Sequence, residues 1–460
     1  MAEGVESYGL HRGVLGPIES LAQSISSMAP STSASLTIPL VFALAGNATW
    51  FVYLLATVAT LLVGLCINRF AKISASPGSL YSFAAQSLPP FWGVVSAWSL
   101  LLAYLATAGS VAGGALYYAR ELALEFLHGA PPAMLVLIAV CAAALWIAFE
   151  DVRLSTGLML GIEAVSIGLI LIVLGVLLLR AGWHPDWPQF HLEGAHLSAL
   201  GPALVLAMFS FVGFESATAL GTEARDPLRT IPRVILLCAV LSGGFFMISA
   251  YAEIIGFRGL AAALSESTSP LHLLAAKAGL PLVGVGIDLG AAVSMFACVL
   301  ACLNAASRVM LRMASNGILP ESFARTSPHH GTPTRALVLC ALLVFAPTAA
   351  LTAAGVTGSD IYDWSGSLAV FGFLVSYALV AAGQPFAKTG EKGRPWPLFA
   401  LGAVTVLVLA LIAVYDLRSA TDRVHGAIPW IFAGYLAVAM LIHVVRCKST
   451  KKISSPMALQ

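Results

Sequence analysis

The chain has 460 residues, 59% of them hydrophobic and only 10% charged, with 24 basic against 22 acidic side chains. A soluble domain carries about 25% charged residues, so one of this length would hold about 115. So few charges cannot cover a water-facing surface, and the apolar residues run in blocks of about 20, enough to cross roughly 30 Å of hydrocarbon.

This is the composition of an all-α, polytopic membrane protein. The net charge of +2, without a basic stripe, excludes a nucleic-acid partner. The sequence has no phosphate-binding Gly-Lys-Ser/Thr loop, no Gly-x-Ser-x-Gly and no His-Glu-x-x-His, so neither an enzyme of those classes nor a cofactor is expected. Seven cysteines, an odd number lying mostly inside apolar runs, do not form a disulfide framework. Cys298 and Cys302 share a helix face but lack a neighbouring His or carboxylate, so they read as ordinary buried cysteines rather than metal ligands.

In chain order, residues 1–16 lack the basic start and short apolar core of a cleaved signal and are expected to remain as a cytoplasmic N-terminus. Twelve spans are expected near 17–45, 48–68, 91–119, 132–149, 154–179, 199–222, 231–255, 281–306, 335–355, 366–386, 397–415 and 427–446, with a cytoplasmic tail over 447–460. A cytoplasmic N-terminus places eighteen of the basic residues inside and six outside, which is the positive-inside bias. The connection 181–198 holds His184, His191 and His196, read as solvated loop histidines. Glu253 and Asp288 fall near span ends and are expected to be solvated.

Two spans break helical chemistry at membrane depth, where irregular backbone is tolerated only around a lined cavity. The first carries six serines and a threonine between Ser24 and Ser35, around Pro30 in mid-span. The sixth reads Phe209-Ser-Phe-Val-Gly-Phe-Glu-Ser216, with Gly213 free to unwind and Glu215 as an intramembrane acid. Such an acid is by default a functional candidate, with a buried structural strut as the other reading. Interruptions at corresponding places in two halves, here 17–180 and 199–386, point to a transporter binding site.

The same residues resemble the amino acid–polyamine–organocation (APC) permeases. The stretch Phe209–Ala217, followed by Gly221-Thr-Glu-Ala-Arg-Asp-Pro227, is similar to their sixth span and the loop after it. Ser307-Arg308 through Ala314-Ser-Asn-Gly-Ile-Leu-Pro320 to Thr332-Pro333, and Pro77-Gly-Ser-Leu-Tyr81 with Gly93 and Trp98, carry further similarity. The resemblance implies a LeuT-like fold: a 5+5 inverted repeat with helices 1 and 6 broken, plus two further helices over 397–446. It also implies secondary transport of an amino acid or small amine across the plasma (cell inner) membrane. A polyamine or organic-amine exchanger is the alternative within the same fold.

By that resemblance a substrate carboxylate would meet amides near Ser31, Thr32 and Ser33. The amino group would meet carbonyls near Ala29 or Pro30 and at Phe209 and Val212, beside Gly213. Ala103, Tyr104, Thr107, Cys302 and Asn304 would form uncharged walls, and Phe209 an aromatic gate. The family's first-span glycines are absent from Pro30–Ala34. The fifth-span lysine of proton-coupled relatives is also absent, with Ser166 near its place and Glu163 three residues earlier. Glu215 and Glu163 are therefore the acids expected to carry a coupling proton, with sodium as the other coupling ion. No metal site is expected.

Overall fold

The computed structural model describes residues 8–127, 129–150, 152–182, 185–260, 263–267, 269–387, 396–419 and 423–453. His184, residues 1–7 and residues 454–460 lie outside these. The described chain is helical: α1 Pro17–Met28, α2 Pro30–Thr32, a π-helical turn Ser33–Thr37, α3 Ile38–Ala45, α4 Thr49–Ala71, α5 Ser79–Ser87, α6 Pro90–Leu127, α7 Ala133–Glu150 and α8 Val152–Arg180. There follow α9 Trp187–Phe190, α10 Leu197–Phe209, a 3-10 turn Ser216–Leu220, α11 Pro227–Phe257, α12 Pro270–Lys277, α13 Pro281–Ser315, α14 Thr334–Ala353, α15 Gly358–Gly383, α16 Trp396–Ser419 and α17 Arg423–Ile453.

Ten stretches are long and apolar enough to cross a membrane, against the twelve expected. The difference has two sources. The run Pro17–Ala71 counts once although its 55 residues are far longer than one crossing needs. The expected sixth span offers only the 13-residue α10 before its helix stops.

Burial ranks the helices. The best apolar window of α6 is 83% buried, whereas those of α16 and α17 are 22% and 17% buried. Leu407, Trp430 and Leu441 accordingly face outward, where lipid replaces water as their solvent. Small residues let α6 and α15 cross closely, as in other membrane helix pairs. A Cβ added at Gly372 would stand 2.6 Å from the Ser99 carbonyl oxygen.

The first segment is interrupted by its own prolines. Pro30 has no amide hydrogen to continue α1, and Ala29 takes a left-handed φ of 46°. Helix resumes at once, with the Ser33 amide donating to the Ala29 carbonyl at 3.1 Å. Pro39 forbids the next regular bond and would clash with the Ser35 carbonyl. The chain slips there into the π turn, whose Ile38 amide reaches back to Ser33. A left-handed non-glycine residue costs about 1–2 kcal/mol. Ala29→Gly is expected to recover about 1 kcal/mol of that strain, read as a raised thermal midpoint of the purified protein.

One end of the bundle is strapped shut. The Val14 and Leu15 amides donate to the Glu223 carbonyl at 2.8 and 3.0 Å, and the Arg225 amide donates to Leu15 at 2.7 Å. Arg153 and Arg225 also donate to the strap, at the Val14 and Gly13 carbonyls. Leu15 is fully buried beneath them. At the far end the connection around α9 is held by Trp50 donating to the Gln189 carbonyl and by an Arg258–Asp186 ion pair of 2.6 Å. Among the described residues no three His, Cys, Asp or Glu side chains gather as metal ligands.

Candidate substrate site

The two interrupted segments meet in the centre of the bundle, in agreement with a LeuT-like arrangement. Ser27 and Ser216 share a hydrogen bond of 2.7 Å, and the Ser216 hydroxyl also donates to the Gln23 carbonyl at 3.1 Å. The Ala217 amide donates to Ser24 Oγ at 3.1 Å. Ser24 thus satisfies a backbone amide of the sixth-segment break, and Ser27 holds its Ser216 side chain. Gly213, with φ of 87°, closes the approach: a Cβ there would lie 2.9 Å from Ser27 Cβ. No other residue fits both that backbone and that gap.

Between the breaks lies a cavity of about 10 Å³, room for roughly one water. Ala29, Thr32, Ser33, Phe209 and Val212 line it, together with Thr107 from α6. Its other walls, Val111, Cys298, Tyr362, Ser27 and Met28, were not singled out from sequence. Cys298 stands one helical turn from the expected Cys302, so the wall of α13 is displaced by four residues. Tyr362 was missed because the expected span began at 366, whereas α15 begins at Gly358.

The remaining expected residues sit elsewhere. Tyr104 donates to Glu215 Oε1 at 2.8 Å rather than facing the cavity. Asn304 donates to Ser155 Oγ at 3.1 Å, and its carbonyl takes the Arg308 guanidinium at 2.9 Å. Cys302, Pro30 and Gly213 are not among the lining residues, nor is Ser31, whose carbonyl accepts the Ser35 hydroxyl. The Ser31 and Thr32 hydroxyls are buried without a hydrogen-bond partner. The Phe209 carbonyl already accepts the Val212 amide at 3.3 Å.

The cavity is closed on both sides. Phe209 and Tyr362 meet edge to face, 5.6 Å between ring centres, and the Tyr362 hydroxyl lies 3.2 Å from Thr37 Oγ1. Beyond this aromatic lid opens a second cavity of about 360 Å³, which shares both rings as its floor. Toward the strap, Arg308 clasps Glu223 through two bonds of 2.6 and 2.7 Å, with each side chain only 1% exposed. The pair is fully buried.

Besides Glu223, four acids are buried among the described residues. Glu215 is wholly buried and receives a tyrosine hydroxyl on each oxygen, Tyr104 at 2.8 Å and Tyr377 at 2.5 Å. It thereby ties the sixth-segment break to α6 and α15. Glu163 on α8 takes the Ser294 hydroxyl at 2.7 Å on one oxygen, and its other oxygen is buried without a partner. Ser166 is occupied by the Gly290 carbonyl at 3.2 Å. Glu253, expected to be solvated, is fully buried, and Asp288 is buried against His272 Nδ1 at 2.6 Å. Both expectations failed because α11 continues to Phe257 and α12 covers the start of α13.

The sequence profile of the family described as Amino acid permease matches residues 15–442. An uncharacterized transporter of Mycobacterium tuberculosis is 29% identical over 348 residues, covering 74% of this chain and 73% of that protein. The branched-chain amino acid permease of Bacillus subtilis is 24% identical over 305 residues, covering 61% of this chain and 63% of its own. The low-affinity putrescine importer of Escherichia coli is 25% identical over 295 residues, with 62% and 64% covered. With nearly the whole chain matched and two interrupted helices packed at its centre, the protein belongs to the amino acid permease family of multi-pass membrane transporters.

Proposed function

We propose that the protein is a secondary permease for neutral amino acids, working by alternating access and coupled to protons. The observation that carries this reading is the small closed cavity between the two helix breaks, walled by hydroxyl, apolar and backbone groups with no carboxylate or basic side chain. The helical run from Pro30 presents its amide end and α1 its carbonyl end, an arrangement suited to the two charges of an amino acid. Amides of Ser31 and Thr32 would receive the carboxylate, since the Ser33 amide, also expected there, is already spent on the Ala29 carbonyl. Carbonyls of Ala29, Phe209 and Val212 would receive the ammonium, leaving an apolar side chain against Val111 and Tyr362. Burying an unpaired side-chain charge there would be costly, which disfavours arginine, glutamate and diamines. The similarity to a branched-chain amino acid permease supports the neutral class.

The charge asymmetry supports cytoplasmic termini, so the strap and the Arg308–Glu223 clasp form the inner closure and the Phe209–Tyr362 lid the outer one. The membrane is the plasma (cell inner) membrane, and the halves 17–180 and 199–386 rock about the site, flanked by 397–446. A thermal-shift screen across amino acids and amines tests the substrate class. A ligand near 100 times its dissociation constant stabilises by about 2.7 kcal/mol, and a shift with putrescine but none with leucine would overturn the neutral reading.

For coupling, Glu163 is favoured over Glu215. Both oxygens of Glu215 are taken by tyrosines, whereas Glu163 has one oxygen free, on the helix α8 that packs against α1 and α2. Glu163→Gln is expected to retain exchange of labelled for unlabelled substrate and to lose accumulation driven by a pH gradient. Sodium-driven uptake indifferent to pH would overturn proton coupling.

A further inference from the structure

Glu253 lies in the outer half of α11, away from the candidate substrate site. It is fully buried, and neither carboxylate oxygen has a hydrogen-bond partner. One turn earlier on the same helix face, the Ser249 hydroxyl is also buried and unpartnered. An unpaired carboxylate is too costly to keep ionised in such surroundings. The titratable groups at this end are Tyr53 on α4, Arg180 on α8, Tyr251 on α11 with Arg258 after it and the Asp186 that pairs Arg258, Glu266 in the turn before α12, and His272 and Lys277 on α12. Lys277 is occupied by the Gly256 and Arg258 carbonyls, Arg180 by the Lys277 carbonyl, and His272 by Asp288. Tyr53 is fully buried against α11, its ring 5.5 Å from that of Phe246, two turns before Glu253 on the same helix face.

Tyr53 also links this acid to the lid. Its hydroxyl lies 3.2 Å from Ser210 Oγ, and Ser210 directly follows Phe209. Swinging Phe209 off Tyr362 to admit substrate must move Ser210 relative to Tyr53, which packs on the helix that carries the buried acid.

We propose that Glu253 is a proton-binding site that reports and biases the outer lid. With the lid closed the carboxyl keeps its proton. Opening admits water between Tyr53 and α11, the carboxyl O–H bond breaks, and the proton passes to that water. By linkage, acid favours the closed lid and alkali the open one. This rests on the permease reading for its lid, but the proton itself can be read without transport.

Infrared difference spectra of the purified full-length protein, neutral against alkaline buffer, should show a protonated-carboxyl band that Glu253→Gln removes and Glu253→Asp keeps. Leucine counterflow at equal pH on both sides should rise with pH in the wild type, by at most about tenfold per unit for one proton. That rise should be lost in Glu253→Gln. Tyr53→Phe should keep the band and lose the rise, and it carries the test if the glutamine variant does not fold. A protonated-carboxyl signal left unchanged by Glu253→Gln, beyond the share that Glu163→Gln removes, or a pH profile shared by wild type and either variant, overturns the proposal. So does wild-type exchange that follows sodium at constant pH and loses that dependence in Glu253→Gln. Absence of counterflow in the wild type counts against the permease reading, while the band still decides the proton site.

Discussion

Arg308→Ala should be among the most damaging single substitutions in this chain, lowering stability by about 3–5 kcal/mol because it leaves Glu223 charged and buried without its partner. The clasp is bidentate and both side chains are 1% exposed, so neither can turn to water. Glu223 also accepts the strap through its backbone carbonyl, so the loss should spread to residues 14 and 15. The double variant Arg308→Leu with Glu223→Leu removes both charges and should recover most of the loss, since a buried ion pair replaced by apolar groups is often near neutral. Thermal unfolding of the single and double variants in detergent checks this. Equal midpoints for Arg308→Ala and the wild type would contradict a buried clasp.

Thr32→Trp should abolish substrate binding, a loss well beyond about tenfold, while the protein still folds. Thr32 lines a cavity of about 10 Å³, so an indole placed there has no room unless the lid is held open. Ser31→Trp is the informative comparison. Ser31 is one residue away and buried, but it is not among the lining residues. Its indole should disturb packing more than binding, lowering the thermal midpoint with weaker loss of affinity per folded molecule. The two variants therefore separate a cavity wall from a buried support, provided binding is measured on the folded fraction.

The sequence reading located both helix breaks because their causes are local. Pro30 removes a donor and Gly213 permits a positive φ, and neither effect depends on distant residues. Pro30 alone does not dictate the left-handed conformation that Ala29 takes. Several cavity walls next to the breaks were legible, as with Ala29, Thr32, Ser33, Phe209 and Val212, but Ser27 and Met28 before the first break were not. Nor were the walls on α13 and α15, where the facing turn depends on helix rotation. Cys298 instead of Cys302, and the missed Tyr362, both come from that.

The acids show the same division. That Glu215 sits inside the membrane followed from hydropathy, but its two tyrosine partners come from α6 and α15, more than a hundred residues away in either direction. Glu253 was misread as solvated because its span was ended at 255, two residues short of the observed helix end. The hydropathy of α11 gives no sign that the surrounding packing would cover that carboxyl.

Counterflow in proteoliposomes tests the central claim most directly. Vesicles holding the purified protein are preloaded with unlabelled leucine and diluted into a trace of labelled leucine, with no ion gradient. The account predicts transient accumulation of label inside, abolished by Thr32→Trp and not reproduced by preloading with putrescine or arginine. Label that only equilibrates whatever is preloaded would contradict a carrier with a closed central site. Acceleration by putrescine or arginine but not leucine would contradict its selectivity for neutral amino acids.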